Sequence, residues 1–400
     1  MSKQSNTSSL LLLLILSSLM AVTSLTTDIY LPAMPQMAQD LHGDAELTIT
    51  GFLIGFTFAQ LFWGAVSDKI GRKLPLFIGM LLFAAGSVGC AMSDNMAQMV
   101  FWRVFQAFGA CTGPMLARAM VRDMFERTRA AQMLSTLTMI MSIAPIIGPL
   151  LGGQIILFGT WHNIFWLLSL ISLVMFAALF VLPEPHTTER RSQGSLLNTF
   201  KNYRTLLGKR EFMRYTMCVT LFYVAAYAFI AGSPMVYINH FGVAPQHYGY
   251  LFALNIVGVM LISFVNRTLV RKFSLDTLLK TATLIATLAT LIAVPLVWLH
   301  MGGIYSIILA VFIFFSTNGV IAASANVMAL DKVPEMAGSA SALIGALQYG
   351  SGIISSLLLA AFPDNSGLVM MVMMAVFTAL SAVTVWVRLP QKCRRFALCE

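Results

Sequence analysis

The sequence predicts an all-α polytopic membrane protein, with twelve transmembrane helices in two six-helix bundles and both termini cytoplasmic. Three observations predict it. Hydrophobic residues make up 58% of the 400 and charged residues 10%, with a mean hydropathy of +0.81; a soluble domain carries about 25% charge. Apolar runs long enough to cross a bilayer, roughly 20 residues each, recur from end to end. Lys and Arg crowd into alternate loops, the signature of cytoplasmic segments.

The runs lie at 9–31, 47–67, 75–93, 97–120, 132–157, 163–182, 214–238, 246–270, 276–298, 303–328, 337–361 and 367–388. They are helices because a bilayer core offers no water to backbone groups, so only helices or closed barrels span it. They are too long and continuous for the alternating strands of a barrel. Lys3 followed by Leu10–Leu19 resembles a secretory signal. The apolar stretch runs on to Leu31 and further spans follow, so it reads as the first membrane helix. Lys69, Arg72 and Lys73 follow span 2, and Arg122, Arg127 and Arg129 follow span 4. Arg267, Arg271, Lys272 and Lys280 surround the turn after span 8, Lys332 follows span 10, and Arg388, Lys392, Arg394 and Arg395 follow span 12. The opposite loops hold Asp40, Asp44, Glu46, Asp94 and Asp364 but no Lys or Arg. The polar stretch that opens Pro183-Glu184-Pro185 separates two halves: residues 1–183 form an N-terminal bundle, 184–213 a cytoplasmic linker, and 214–400 a C-terminal bundle with a basic tail. Both halves place a short charged turn after their second span, a weak internal repeat.

Composition also excludes functions. The net charge of +9 follows membrane orientation rather than a nucleic-acid footprint. The five cysteines, Cys90, Cys111, Cys218, Cys393 and Cys399, have no CxxC spacing, so neither a metal site nor a disulfide framework is expected. No Walker A loop, HExxH, GxSxG or dinucleotide fingerprint is present. The chain is therefore not expected to be an enzyme. It needs no cofactor, and its energy must come from an ion gradient.

Four segments carry chemistry. The first is Gly64-Ala-Val-Ser-Asp68-Lys69-Ile-Gly71-Arg72-Lys73, between spans 2 and 3. Gly64 would let another helix approach and Gly71 a tight turn. Asp68 at a helix C-terminus, with Arg72 and Lys73 at a helix N-terminus, opposes the dipoles, so these charges need other partners. Candidates are each other, the Arg122-Asp123 pair, Glu126, or the N-terminus of a second-half helix. The second is Ala144-Pro145-Ile-Ile-Gly148-Pro149-Leu-Leu-Gly152-Gly153 in span 5. Its prolines free backbone carbonyls, and Gly148 and Gly152 form a close-packing face. The third is Asp28, the only acid well inside a span. A carboxylate at that depth is costly when ionised, which suits a proton carrier. Hydration at the outer interface is the other reading, since Pro32 and Pro35 could end the helix early. The fourth is Arg103, in Arg103-Val-Phe-Gln106-Ala-Phe-Gly109 of span 4. It needs a counter-charge, with Asp28 the obvious candidate, or a ring of acceptors; alternatively it snorkels outward. Tyr30, Gln106, Tyr223, Tyr227, Asn255, Asn318 and Gln348 are the polar candidates for lining a substrate cavity.

GxxxDxxGRK resembles the signature of the major facilitator superfamily, and GPxxGG resembles the antiporter motif of its proton-driven exporters. The stretch Thr26-Thr27-Asp28-Ile29-Tyr30-Leu31-Pro32-Ala33-Met34-Pro35 is similar to the first helix of the Bcr/CflA drug-resistance subfamily, whose members carry a membrane-embedded acid there. Arg103-to-Gly109 resembles the RxxQG motif, linked to proton transfer, and departs from it at Ala107. The resemblance implies two bundles that rock about a central site, with Asp28 and Arg103 coupling protons to export. It implies small amphipathic substrates, such as chloramphenicol, bicyclomycin or sulfonamide-like compounds, and a bacterial inner membrane location; the protein is expected to act as a monomer. An exporter of amino acids, sugars or nucleosides would share every motif.

Overall fold

The computed structural model describes residues 6–185, 196–363 and 366–387. Lys3, the centre of the linker with Arg190 and Arg191, Asp364 and the basic tail lie outside the described residues. All regular structure among the described residues is helical. The first half holds α1 (Asn6–Asp28), α2 (Met34–Asp40), α3 (Glu46–Ile70), α4 (Lys73–Ala91), α5 (Met96–Ala110), α6 (Thr112–Met124), α7 (Arg127–Met141), α8 (Ala144–Phe158) and α9 (Trp161–Ala178). After α10 (Leu196–Gly208) come α11 (Arg210–Pro234), α12 (Pro245–Lys272), α13 (Leu275–Trp298), α14 (Gly303–Asp331), α15 (Ala337–Ala361) and α16 (Leu368–Trp386).

Eleven helical stretches among the described residues are long and apolar enough to cross a membrane. The expected span at 97–120 is not one of them. Its chain is divided at Cys111 into α5 and α6, each too short alone, and α6 carries Arg118 and Arg122. The division has a local cause: Pro114 has no N–H to give to the carbonyl of Ala110. The Thr23 hydroxyl of α1 donates to that carbonyl instead, at 3.0 Å. Span 5 is likewise broken. Pro145 sits in the first turn of α8, after an interruption at Ser142–Ile143 that separates it from α7. Pro149 lies inside α8.

Helices of each half pack mainly on their own neighbours. In the first half α3 and α4 lie on α5, α4 on α9, and α1 on α6, α7 and α8. In the second, α11 lies on α14, α15 and α16, and α13 on α14 and α16. The halves meet along two seams, α3 against α15 and α8 against α12. Small residues make close approach possible: a Cβ on Gly51 would stand 2.7 Å from the carbonyl oxygen of Val100 on α5, and one on Gly249 of α12 2.7 Å from the Leu150 nitrogen of α8. Hydroxyls in the apolar helices return their hydrogen bonds to the preceding turn, as Thr26 does to the Val22 carbonyl at 2.6 Å. Large apolar side chains such as Phe101, Trp166, Phe264 and Ile285 face outward, as lipid-facing residues must.

Candidate functional site

A cavity of about 270 Å³ lies between the halves. Its first-half wall includes Thr23, Thr27, Asp28, Tyr30, Phe52 and Arg103; its second-half wall includes Tyr223, Tyr227, Phe252, Phe315, Asn318 and Tyr349. Asp28 is the only carboxylate in this lining. It is the last residue of α1, where the chain turns through Ile29 and Tyr30 into a 3-10 segment at Leu31–Ala33. The helix thus ends early, as the prolines allow, yet Asp28 is only 6% exposed. It is held against α8: a Cβ on Gly148 would lie 3.3 Å from the Asp28 Cβ, and one on Gly152 would overlap the Ile29 carbonyl oxygen. Gly153 of α8 faces Pro245 and Gln246 of α12, where a Cβ would come within 2.8 Å. The glycines of the GPxxGG segment therefore bring the carboxylate-bearing turn and the second half onto one helix.

The expected Asp28–Arg103 ion pair is not formed; among the described residues no Lys or Arg lies within ion-pair distance of Asp28. Arg103 neither snorkels nor pairs: it is fully buried. Its guanidinium carbon lies over the rings of Tyr30 and Phe52, at 4.4 and 4.5 Å from their centroids. It donates to Gln106 Oε1 at 2.5 Å and to the Thr48 carbonyl at 3.3 Å. Gln106 Nε2 donates in turn to Ser87 Oγ at 2.8 Å. Acceptors and ring faces, rather than an anion, compensate this charge.

The other cavity candidates divide. Tyr30, Tyr223, Tyr227 and Asn318 line the cavity. Gln106 does not, because it belongs to the buried Arg103–Ser87 network within the first half. Asn255 is also outside the lining, with its Nδ2 donating to the Leu251 carbonyl of its own helix at 3.3 Å. Gln348 donates to Asn326 at 3.3 Å and is likewise not in the lining.

At the basic end of the bundle the turn between α3 and α4 is closed by Gly71, whose φ of 99° favours glycine. Arg72 bridges two helices, with Nη1 2.6 Å from Asp68 and Nε 2.9 Å from Asp123 of α6, and it also donates to Ser67 Oγ at 2.8 Å. Burial works against its charge, but the two carboxylates outweigh that and raise the pKa above arginine's ordinary value. Lys73 donates to the Phe180 carbonyl at 3.3 Å. Arg122 is exposed and lines a second cavity of about 490 Å³ at this end, with Asp68, Arg118, Tyr203 and Glu335. Gly64 also lines it, with nothing near the position of a Cβ. The expectation that Gly64 serves close helix packing is therefore corrected: Gly55 and Gly51, earlier on α3, meet α5 instead.

Sequence reasoning missed Glu184. Its carboxylate accepts from the backbone nitrogens of Arg72 at 3.0 Å and Lys73 at 2.8 Å, capping α4. Spacing gives no signal of this, since the cap comes from a segment 112 residues later in the chain.

The sequence profile of the Major Facilitator Superfamily matches residues 16–356. This chain belongs to that superfamily. It is 36% identical to the uncharacterized MFS-type transporter YdgK of Bacillus subtilis over 88% of both chains. It is 31% identical to the bicyclomycin resistance protein homolog of Haemophilus influenzae over 88% of this chain and 90% of that one. The solved xylose transporter XylE from E. coli superposes with a TM-score of 0.70 at 15% identity, covering 94% of this chain and 97% of that chain; this likeness speaks for the fold. The relatives place the chain in the Bcr/CflA drug-resistance branch of the superfamily. It is a multi-pass membrane protein of a transporter family.

Proposed function

We propose that this protein is a proton-coupled exporter of small amphipathic drugs in a bacterial inner membrane. The observation that carries the reading is Asp28, the sole carboxylate lining the seam cavity, seated directly on the glycine face of α8. The relatives named for multidrug and bicyclomycin resistance support the drug class. Chloramphenicol, bicyclomycin and sulfonamide-like compounds are the first candidates. We read α5 and α6 together as one crossing, which makes twelve, with the basic end and both termini cytoplasmic. Residues 1–183 and 214–400 are the two rocking bundles, and 184–213 links them. The protein acts as a monomer and needs no cofactor.

The cycle is alternating access. Substrate enters from the basic end while Asp28 is ionised. The bundles rock about the α3–α15 and α8–α12 seams, a periplasmic proton neutralises Asp28, and the substrate leaves outward. The proton is then released inward. Each entering proton supplies about 2.3 kcal/mol per 100 mV and about 1.4 kcal/mol per pH unit. Arg103 stands in the first-half wall beside Tyr30 and Phe52.

Proton flux in energised everted vesicles tests the reading, with a pH-sensitive dye following the gradient as candidate drugs are added. A drug should dissipate the gradient with the wild type and fail to do so with Asp28→Asn. Undiminished drug-driven flux in Asp28→Asn would remove Asp28 from the mechanism.

A further inference from the structure

We infer that the hydrogen bond between Thr50 and Ser356 is an outer latch, a releasable contact that holds the two halves together at the end away from the basic residues and breaks when the cavity opens to that side. This rests on the rocking cycle proposed above. The seam between α3 and α15 shows where the halves are joined and where they part. Thr50 Oγ1 of α3 and Ser356 Oγ of α15 are 2.6 Å apart, and both residues are buried. Next along the seam, Leu53 fills the place that a Cβ on Gly352 would take, and Gln60 fills that of Gly345. One turn beyond Gln60, Gly64 has nothing near the position of a Cβ and lines the basic-end cavity with Ser341 and Ala342. The two helices are thus joined at the outer end and parted at the basic end.

The bond suits a latch because neither hydroxyl depends on it. Ser356 Oγ also lies 2.9 Å from the Gly352 carbonyl oxygen, and Thr50 Oγ1 lies 3.4 Å from that of Glu46, each one turn back on its own helix. With Ser356 donating to Gly352, Thr50 is the donor across the seam. When the outer ends part, Thr50 turns its hydrogen to the Glu46 carbonyl, and no buried hydroxyl is stranded. Side chains packed on glycine can slide, whereas a hydrogen bond is lost over about an ångström. The bond therefore separates the joined state from the parted one. Between membrane helices one such bond biases an equilibrium by about three- to tenfold, which favours one state without trapping the carrier in it.

The test is labelling from the outer side of a cysteine placed at Ile49, which is buried and lines the seam cavity. The full chain carrying Ile49→Cys, with Cys393 and Cys399 replaced by Ser, is treated in right-side-out membrane vesicles with a membrane-impermeant maleimide. The same chains without Ile49→Cys give the background, in which the buried Cys90, Cys111 and Cys218 should stay unlabelled if the fold is intact. Thr50→Val and Ser356→Ala should each raise the labelling rate about three- to tenfold. The two together should match either alone, because both remove the same bond. Thr50→Ser keeps the hydroxyl and should label at the rate of the parent chain. Rates unchanged by the single substitutions, increases that multiply in the double, Thr50→Ser as fast as Thr50→Val, or no labelling in any chain would each overturn the inference. The transport reading is tested apart from it, since labelling needs neither drug nor gradient. The expected labelling pattern without drug-driven proton flux would remove the antiporter and keep the latch, and flux with labelling indifferent to these residues would do the reverse.

Discussion

Replacing Arg103 by Lys keeps the charge and should still destabilise the protein substantially. The guanidinium is fully buried, over the rings of Tyr30 and Phe52 at 4.4 and 4.5 Å from their centroids, and bonded to Gln106. A compact ammonium cannot stack on two rings at once. Losing one desolvated cation–π contact costs about 1–2 kcal/mol, and losing a hydrogen bond from a charged donor about 1.5–3 kcal/mol. Because the ammonium retains some of these partners, the net loss is about 2–4 kcal/mol. No carboxylate compensates Arg103 among the described residues, so a more strongly hydrated cation in the same place is poorly tolerated. An apolar chain of similar length escapes that desolvation; Arg103→Met should therefore melt at or above Arg103→Lys, with both below the wild type. The buried thiols of Cys90, Cys111 and Cys218 provide the assay. Their reaction with a thiol-activated dye on heating, in a background with Cys393 and Cys399 replaced by Ser, reports unfolding. A drop of roughly 5 °C is expected for Arg103→Lys. Melting of Arg103→Lys within a degree of the wild type, or clearly above Arg103→Met, would refute the stacking-and-acceptor account of this charge.

Two further outcomes follow from the packing. Gly152→Ala places a Cβ on the Ile29 carbonyl oxygen and should cost about 1–3 kcal/mol, whereas Gly64→Ala meets open space and should stay within about 0.5 kcal/mol of the wild type; equal melting temperatures for the two would show that α8 is not seated on α1 as described. Glu184→Ala removes the cap from the Arg72 and Lys73 nitrogens, and should cost about 0.5–2 kcal/mol and speed hydrogen exchange at those two amides, with Glu184→Gln intermediate. Unchanged exchange would mean that the cap does not form in the protein.

Much of the architecture is legible in the chain because a bilayer permits few solutions. A run of apolar residues must be a helix, and the side that carries Lys and Arg sets its direction. Asp28 stands out for the same reason, as an acid where acids are costly. The span at 97–120 shows where that logic thins: Pro114 divides it, and the carbonyl it frees is taken by Thr23 from another helix, a partner no hydropathy pattern reveals. Arg103 is sharper still. The need to compensate a buried charge is readable from its position, but Asp28 and a cage of rings and carbonyls satisfy that need equally well on paper. Only helix rotation brings the rings of Tyr30 and Phe52 over the guanidinium and leaves it without a carboxylate partner among the described residues.

The sequence by itself determined the membrane class, the glycine and proline segments and the charged turn after span 2, because each depends on local composition or on one rule of transfer from water to lipid. The tertiary structure alone decided which glycines meet a neighbour, Gly51, Gly55, Gly148 and Gly152 but not Gly64. It alone decided that Gln106, Asn255 and Gln348 serve internal networks while Asn318 lines the cavity, and that Glu184 caps a helix 112 residues earlier in the chain. The physical reason is the same in each case. A polar or small residue on a membrane helix is suited to several partners alike, and the one it takes depends on how each helix is turned about its axis.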